Sequence, residues 1–261
     1  MDFSVVTIDE VESTQSYLIE LSNKTELQEG VVINALSQFK GVGQFENKWE
    51  SENGKNLTFS LLLKPLFLNP CDQFLLTQVL SLAISDFLLK QTDKTVSIKW
   101  PNDIYIDKNK ICGILVKNQL LGSCFENAFC GIGLNVNQEK FPPLPNPTSL
   151  YLETGKKYDL NKVLQEILKY IDLRYTQLKS GQLEILQQDY MKRLLYNGVF
   201  ANYIYKGVEI EARIFGVNDF GHLLLEDREG NDISCELKEI IFTHNTFFCK
   251  ELEKYFFKRT K

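Results

Sequence analysis

The sequence predicts an α+β chain: a mixed β-sheet flanked by helices, then a small all-β unit. Three observations predict it. Strand-like segments come in runs instead of alternating one by one with helices, which argues against a doubly wound parallel sheet. Helical spacing of apolar residues is confined to separate blocks, chiefly 71–91 and 160–179. From about residue 197 the period changes to two, and short strands are split by Gly207, Gly216–Gly221 and Gly230.

Residues 3–8 (FSVVTI) alternate as a strand, and 13–22 read as a helix capped by Ser13 or Thr14. Residues 30–37 (GVVINALS) read as a buried strand, 38–53 as a loop without period, and 55–64 (KNLTFSLLLK) as strand again. After the helix at 71–91 come three strands near 94–106, 109–118 and 121–136. Prolines 142, 143, 145 and 147 mark 138–159 as an irregular connection. An amphipathic helix at 160–179 follows, then another at 182–195. Five short strands in about fifty residues fit a small SH3-like barrel. Residues 247–261 read as a final helix of unassigned role. The expected division is 1–195, 196–246 and a tail at 247–261.

Composition narrows the function classes. With 261 residues, 44% of them hydrophobic, the chain can bury a sizeable core. It has no apolar run of about eighteen residues, and its first residues lack a basic segment followed by an apolar one. Six cysteines at 71, 112, 124, 130, 235 and 249 form no CxxC pair, and His222 and His244 supply no zinc spacing. They read as reduced residues of a cytoplasmic protein, with no side chain assigned to a metal. A net charge of −5 argues against a nucleic-acid or anionic-membrane partner.

The chemistry concentrates in Lys99–Asp103 (KWPND), Lys110–Leu115 (KICGIL) and Gly131–Asn137 (GIGLNVN). Pro101 ends the strand that delivers Lys99, and Asn102 and Asp103 suit a turn. Glycines Gly113, Gly131 and Gly133 let strand backbone approach a ligand closely. A strand-end lysine facing such strands suits an anionic ligand. An isolated lysine there is more often surface decoration; the surrounding pattern reverses that weighting.

The pattern resembles the catalytic domain of biotin–protein ligases. KWPND, K(I/L)xGIL and GxGxNxN occur in order, preceded by DEVESTQSYL at 9–18 and SQFKGVGQFENKWESENGKNLTFSLLL at 37–63. The resemblance spans roughly residues 5–245. It implies a sheet like that of class II aminoacyl-tRNA synthetases and lipoate ligases. It implies an ATP-dependent activation of biotin to biotinyl-5'-AMP, with Mg2+ helping to neutralise the polyphosphate. The biotin would then pass to a lysine of a biotin carboxyl carrier protein, a separate chain. Asn34–Lys40 and a sheet edge would dock it by analogy.

In that frame Lys99 is the candidate central cation, holding the biotin carboxylate against the α-phosphate. The resemblance assigns Ser13, Thr14, Gln15 and Gln38 to the ureido ring, although a Ser-x-Thr helix start alone is more often a cap. Gly41, Val42, Gly43 and Gln44 fall in the biotin loop, and Trp49 matches the residue that packs on adenine. Asn102 and Asn135 are candidates for ATP or its metal; alone, each is as readily a turn residue. Cys112 reads as pocket wall, not as a nucleophile.

The loop departs from the family. Val42 stands where an arginine is expected, and Phe45 and Glu46 replace further loop residues. Lys40 and Lys48 substitute in part, without the planar fork of a guanidinium. Weaker ATP or adenylate binding is expected. Two other readings stay open: a lipoate or octanoate transferase of the same superfamily, and a biotin-binding sensor without ligase activity. The ligase segment begins by residue 9, so a repressor's DNA-binding domain is not expected. Whether the chain is a monomer or a homodimer, and which protein accepts biotin, stay open.

Overall fold

The computed structural model describes residues 1–43, 48–142 and 146–243. The expected tail at 247–261 and His244 lie outside them. In chain order, strand β1 (Ser4–Val11) leads to helix α1 (Thr14–Lys24), then to β2 (Val31–Gln38) and β3 (Leu57–Leu63). A 3-10 turn at Pro70–Asp72 precedes α2 (Phe74–Leu88). Strands β4 (Val96–Lys99), β5 (Asp103–Ile106), β6 (Asn109–Leu121) and β7 (Cys124–Leu134) follow. Helices α3 (Leu150–Thr154), α4 (Leu160–Lys179) and α5 (Leu183–Arg193) complete the first part.

Seven strands form one sheet in the order β1-β2-β3-β7-β6-β5-β4. Only β1 and β2 pair in parallel; the other pairs are antiparallel, so the sheet is mixed as expected. Strand alternation divides its two faces. From β3, Leu57, Phe59, Leu61 and Leu63 enter the main core with α2 and α4. Leu62 joins Leu18 of α1, Ile33 and Phe129 in a smaller cluster on the other face. Thr58 and Ser60 share that second face.

Two local expectations are corrected. Residues 94–106 are not one strand but a hairpin, β4 and β5, turned through Trp100–Asn102. Proline 101 cannot donate to a ladder, so pairing resumes only at Asp103. A second reversal at Asp107, whose φ is +52°, separates β5 from β6. The connection at 138–159 is not wholly irregular. It contains α3, which begins on the Ser149 hydroxyl, an acceptor for the Leu152 N–H at 3.2 Å, and stops at Gly155 with φ +70°.

The five C-terminal strands are β8 (Phe200–Tyr205), β9 (Val208–Val217), β10 (Leu223–Asp227), β11 (Asp232–Cys235) and β12 (Ile240–Phe242). They form an antiparallel sheet ordered β11-β10-β9-β8-β12. Their described pairings do not close it into the barrel that the sequence predicts. This sheet docks on the KWPND hairpin. The Trp100 indole N–H donates to the Gly221 carbonyl at 3.0 Å, and the Leu195 N–H to the Ile98 carbonyl at 2.8 Å. Tyr203, Ile214, Leu223 and Phe242 thereby join the main core.

Candidate functional site

A cavity of about 150 Å³ lies on the α1 face of the large sheet. Its floor is a consequence of register. Thr58 of β3 stands beside Gly133 of β7, Gly133 beside Gly113 of β6, and Gly113 beside Asp103 of β5. One step along, Ser60 stands beside Gly131, and Gly131 beside Leu115. Two glycines of β7 and one of β6 thus make a patch without side chains, bordered by hydroxyls on one side and by an acid on the other.

The hydroxyl end is closed by the start of α1. Gln38 Oε1 accepts from the Thr14 N–H at 2.8 Å and from the Thr14 hydroxyl at 3.2 Å. Thr14 Oγ1 and Ser60 Oγ are 2.9 Å apart. Gln15 reaches under the helix and donates through Nε2 to the carbonyls of Leu115 and Phe129, both at 2.8 Å. Its Oε1 is buried and has no partner among the described residues. A cavity wall with a fixed hydroxyl pair and a vacant carbonyl oxygen matches a small ligand that carries both N–H donors and a carbonyl acceptor. Ser13 lines the same end and caps α1 through its Oγ, which accepts from the Ser16 N–H at 3.4 Å.

At the other end Lys110 and Asp103 form an ion pair at 2.7 Å, each about one-third exposed. The Lys110 ammonium lies 6.0 Å from the centre of the Trp49 ring. Trp49 is held by its own N–H, which donates to the Gly41 carbonyl at 2.9 Å, and by the adjoining Val42–Lys48 bridge. Gly41 is tight for this reason: a Cβ there would stand 2.3 Å from the Trp49 carbonyl oxygen and 2.5 Å from Gln38 Nε2. Asn102 is buried at the wall and donates to the Ile114 carbonyl.

The cavity is lined by Ser13, Thr14, Gln15, Gln38, Val42, Gly43, Lys48, Trp49, Asn102, Gly113, Gly131 and Gly133 of the expected set. Others stand elsewhere. Lys99 does not line it. Its ammonium sits 5.8 Å from the Tyr105 ring and 5.3 Å from the Phe242 ring, at the far end of the Gly113–Asp103 row. Burial pulls the Lys99 pKa below the usual lysine value; Asp103 opposes that pull and Lys110 adds to it. Lys40 is exposed and paired with Glu12 at 2.8 Å. Asn135 is buried away from the cavity, where it donates to the Thr148 carbonyl at 2.9 Å. Cys112 belongs to the core on the opposite face, and burial pushes its thiol pKa up. Gln44, Phe45 and Glu46 lie outside the described residues.

Lys110, Thr58 and Ser60 also line the cavity, as does Asp103, which the sequence suggests only as a turn residue. The hydroxyls were legible in the alternation of LTFSLLL. Lys110 was not. Its parity puts it on the face of Cys112, but an irregularity in the β5–β6 register pairs Ile104 with Cys112 and Tyr105 with Lys110. The extra residue, Ile111, is a bulge that turns Lys110 to the face of Gly113.

Residues 7–135 match the biotin/lipoate A/B protein ligase family. The chain is 31% identical over 237 residues to the bifunctional ligase/repressor BirA of Bacillus spizizenii, covering 85% of this chain and 69% of that protein. It is 27% identical over 174 residues to the biotin–[acetyl-CoA-carboxylase] ligase of Mycobacterium tuberculosis, covering 65% and 63%. Its structure is similar to the biotin protein ligase of Aquifex aeolicus in complex with biotin and ATP. The TM-score is 0.75 at 30% identity, over 91% of this chain and 97% of that one.

Proposed function

The chain belongs to the biotin/lipoate A/B protein ligase family, and from that premise we infer that it is a biotin–protein ligase. It activates biotin with ATP and passes it to a lysine of a biotin carboxyl carrier protein, in the cytoplasm. The observation that carries this is the polarity of the cavity. A neutral hydrogen-bonding end at Thr14, Gln15, Gln38 and Ser60 suits a urea, and the opposite, charged end sets the Lys110–Asp103 pair beside an aromatic ring, with Lys48 as a further cation on the lining.

In the first step a biotin carboxylate oxygen attacks the α-phosphorus of ATP, and the bond to the β,γ-pyrophosphate breaks. Two anions must approach, so a cation between them lowers the barrier. Lys110 fits that place, and Lys99 becomes a second cation at the far end of the row. In the second step the acceptor lysine's neutral amine attacks the acyl carbon, AMP leaves with the bonding electrons, and the proton that the nitrogen sheds on becoming an amide passes to solvent. Magnesium would be held chiefly by the phosphates. Asp103 fits as one protein ligand, being the sole carboxylate among the described residues that line the cavity.

The test is biotin-dependent ATP–pyrophosphate exchange and transfer to a carrier domain, run beside lipoate and octanoate. Exchange with lipoate or octanoate but not with biotin would replace this reading, and biotin binding without exchange would make the chain a sensor. Ser60→Ala removes the hydroxyl partner of Thr14. It is expected to raise the biotin KM about tenfold and leave the ATP KM unchanged, which steady-state exchange kinetics would check. Among the described loop residues Lys48 is the cation that lines the cavity, since Lys40 is turned to Glu12. Biotinyl-5'-AMP should therefore dissociate faster than from arginine-bearing relatives; filter-binding decay gives the rate.

A further inference from the structure

We propose that Gly133 is a positioning residue for the nucleotide, acting through Trp49; this rests on the ligase reading. Gly133 lies in the regular β7 ladder, paired with Thr58 and Gly113, and its φ is not positive. Backbone freedom therefore does not explain a glycine, which weakens a strand interior. Space does. A Cβ on Gly133 would stand 2.3 Å from Cε2, 2.6 Å from Nε1 and 2.7 Å from Cζ2 of Trp49. On Gly113 it would stand 3.2 Å from Cζ3 of the same ring. The indole is seated on bare backbone of two neighbouring strands.

Two features make the seat depend on shape. The Trp49 backbone is pinned to Gly41, so the ring cannot retreat as a whole. Its Nε1 is buried with no hydrogen-bond partner among the described residues, so no directional bond would return a displaced ring. Flush on the sheet, the indole offers its free face to the cavity, with the Lys110 ammonium 6.0 Å from the ring centre. A purine stacked on that face sits beside the cation that its phosphate needs. A methyl at Gly133 lifts the ring and closes that space. Gly131 serves a different partner, because its Cβ would meet the Gln15 amide at 3.2 Å. Two glycines of one strand thus divide the site, one seating the nucleotide's platform and one the hydroxyl end.

The test compares Gly133→Ala, Trp49→Ala and the double variant with the full-length wild type. Gly133→Ala should raise the ATP KM about tenfold with little change in the biotin KM, the loss expected of a removed stack. It should also shift the emission of Trp49, read as the difference from Trp49→Ala, since Trp100 contributes to both. In the Trp49→Ala background it should add nothing. Equal rises in both KM values, an unchanged Trp49 emission, or full additivity would overturn the proposal. If Gly133→Ala fails to fold, folding of the double variant supports the seat and its failure overturns it. A wild type without biotin-dependent exchange would defeat the ligase reading instead, and the emission comparison would still decide the seat.

Discussion

Replacing Lys110 by methionine is expected to lower the rate of biotin-dependent ATP–pyrophosphate exchange by roughly two to three orders of magnitude, with folding intact. Methionine keeps much of the apolar stem and removes the charge. Asp103, the partner left behind at 2.7 Å, is partly exposed, so water resolvates it and the fold loses little. What is lost is the Lys110 ammonium on the cavity wall, where the proposed reaction brings carboxylate and α-phosphate together. Lys110→Arg should recover only part of the rate, because a planar fork does not replace a compact point charge. Lys99→Gln is the comparator. Its ammonium faces Tyr105 and Phe242 and does not line the cavity, so its loss should cost about tenfold or less. Exchange kinetics for the three variants rank the two lysines. A Lys110→Met enzyme close to wild type, beside an inactive Lys99→Gln, would return the central role to Lys99.

The second large effect concerns stability. Asp86 of α2 accepts from Arg174 Nε at 2.6 Å and from Arg193 Nη2 at 2.7 Å, while Arg174 Nη1 reaches Asp189 at 2.7 Å. This network joins α2, α4 and α5 behind the sheet. Burial works against the Arg174 charge, yet Asp86 and Asp189 hold its pKa above the usual value. Asp86→Ala leaves two guanidiniums side by side with one carboxylate fewer, both largely covered. Unfolding free energy should fall by about 3–5 kcal/mol. That corresponds to a melting temperature lower by roughly 10 °C, measurable by circular dichroism. A shift within about 1 °C would show that water reaches the site well enough to replace the carboxylate.

Much of the first unit was legible because local rules agree with the fold. The Ser13 cap, the helical blocks at α2 and α4, and the alternation of β3 each follow from spacing alone. The turn at Pro101 follows from a missing donor. The five C-terminal strands were legible for the same reason, but their closure was not, since nothing local dictates how edge strands meet. Gly133 illustrates a middle case. Its presence in a strand signalled a close approach, while its neighbour turned out to be Trp49, a residue of the protein itself.

The sequence by itself put KWPND, KICGIL and GIGLNVN together, through the resemblance of their order to one family's motifs, and residues of all three line one cavity. Only the tertiary structure shows that Lys110, and not Lys99, lines the cavity. Parity along a strand is broken by a single inserted residue, and Ile111 breaks it between Lys110 and Gly113. The same register sets Lys99 two strands away from the glycine floor, against the ring of Phe242 from the second sheet. Spacing records neither the bulge nor that docking, because both arise from contacts between segments distant in the chain.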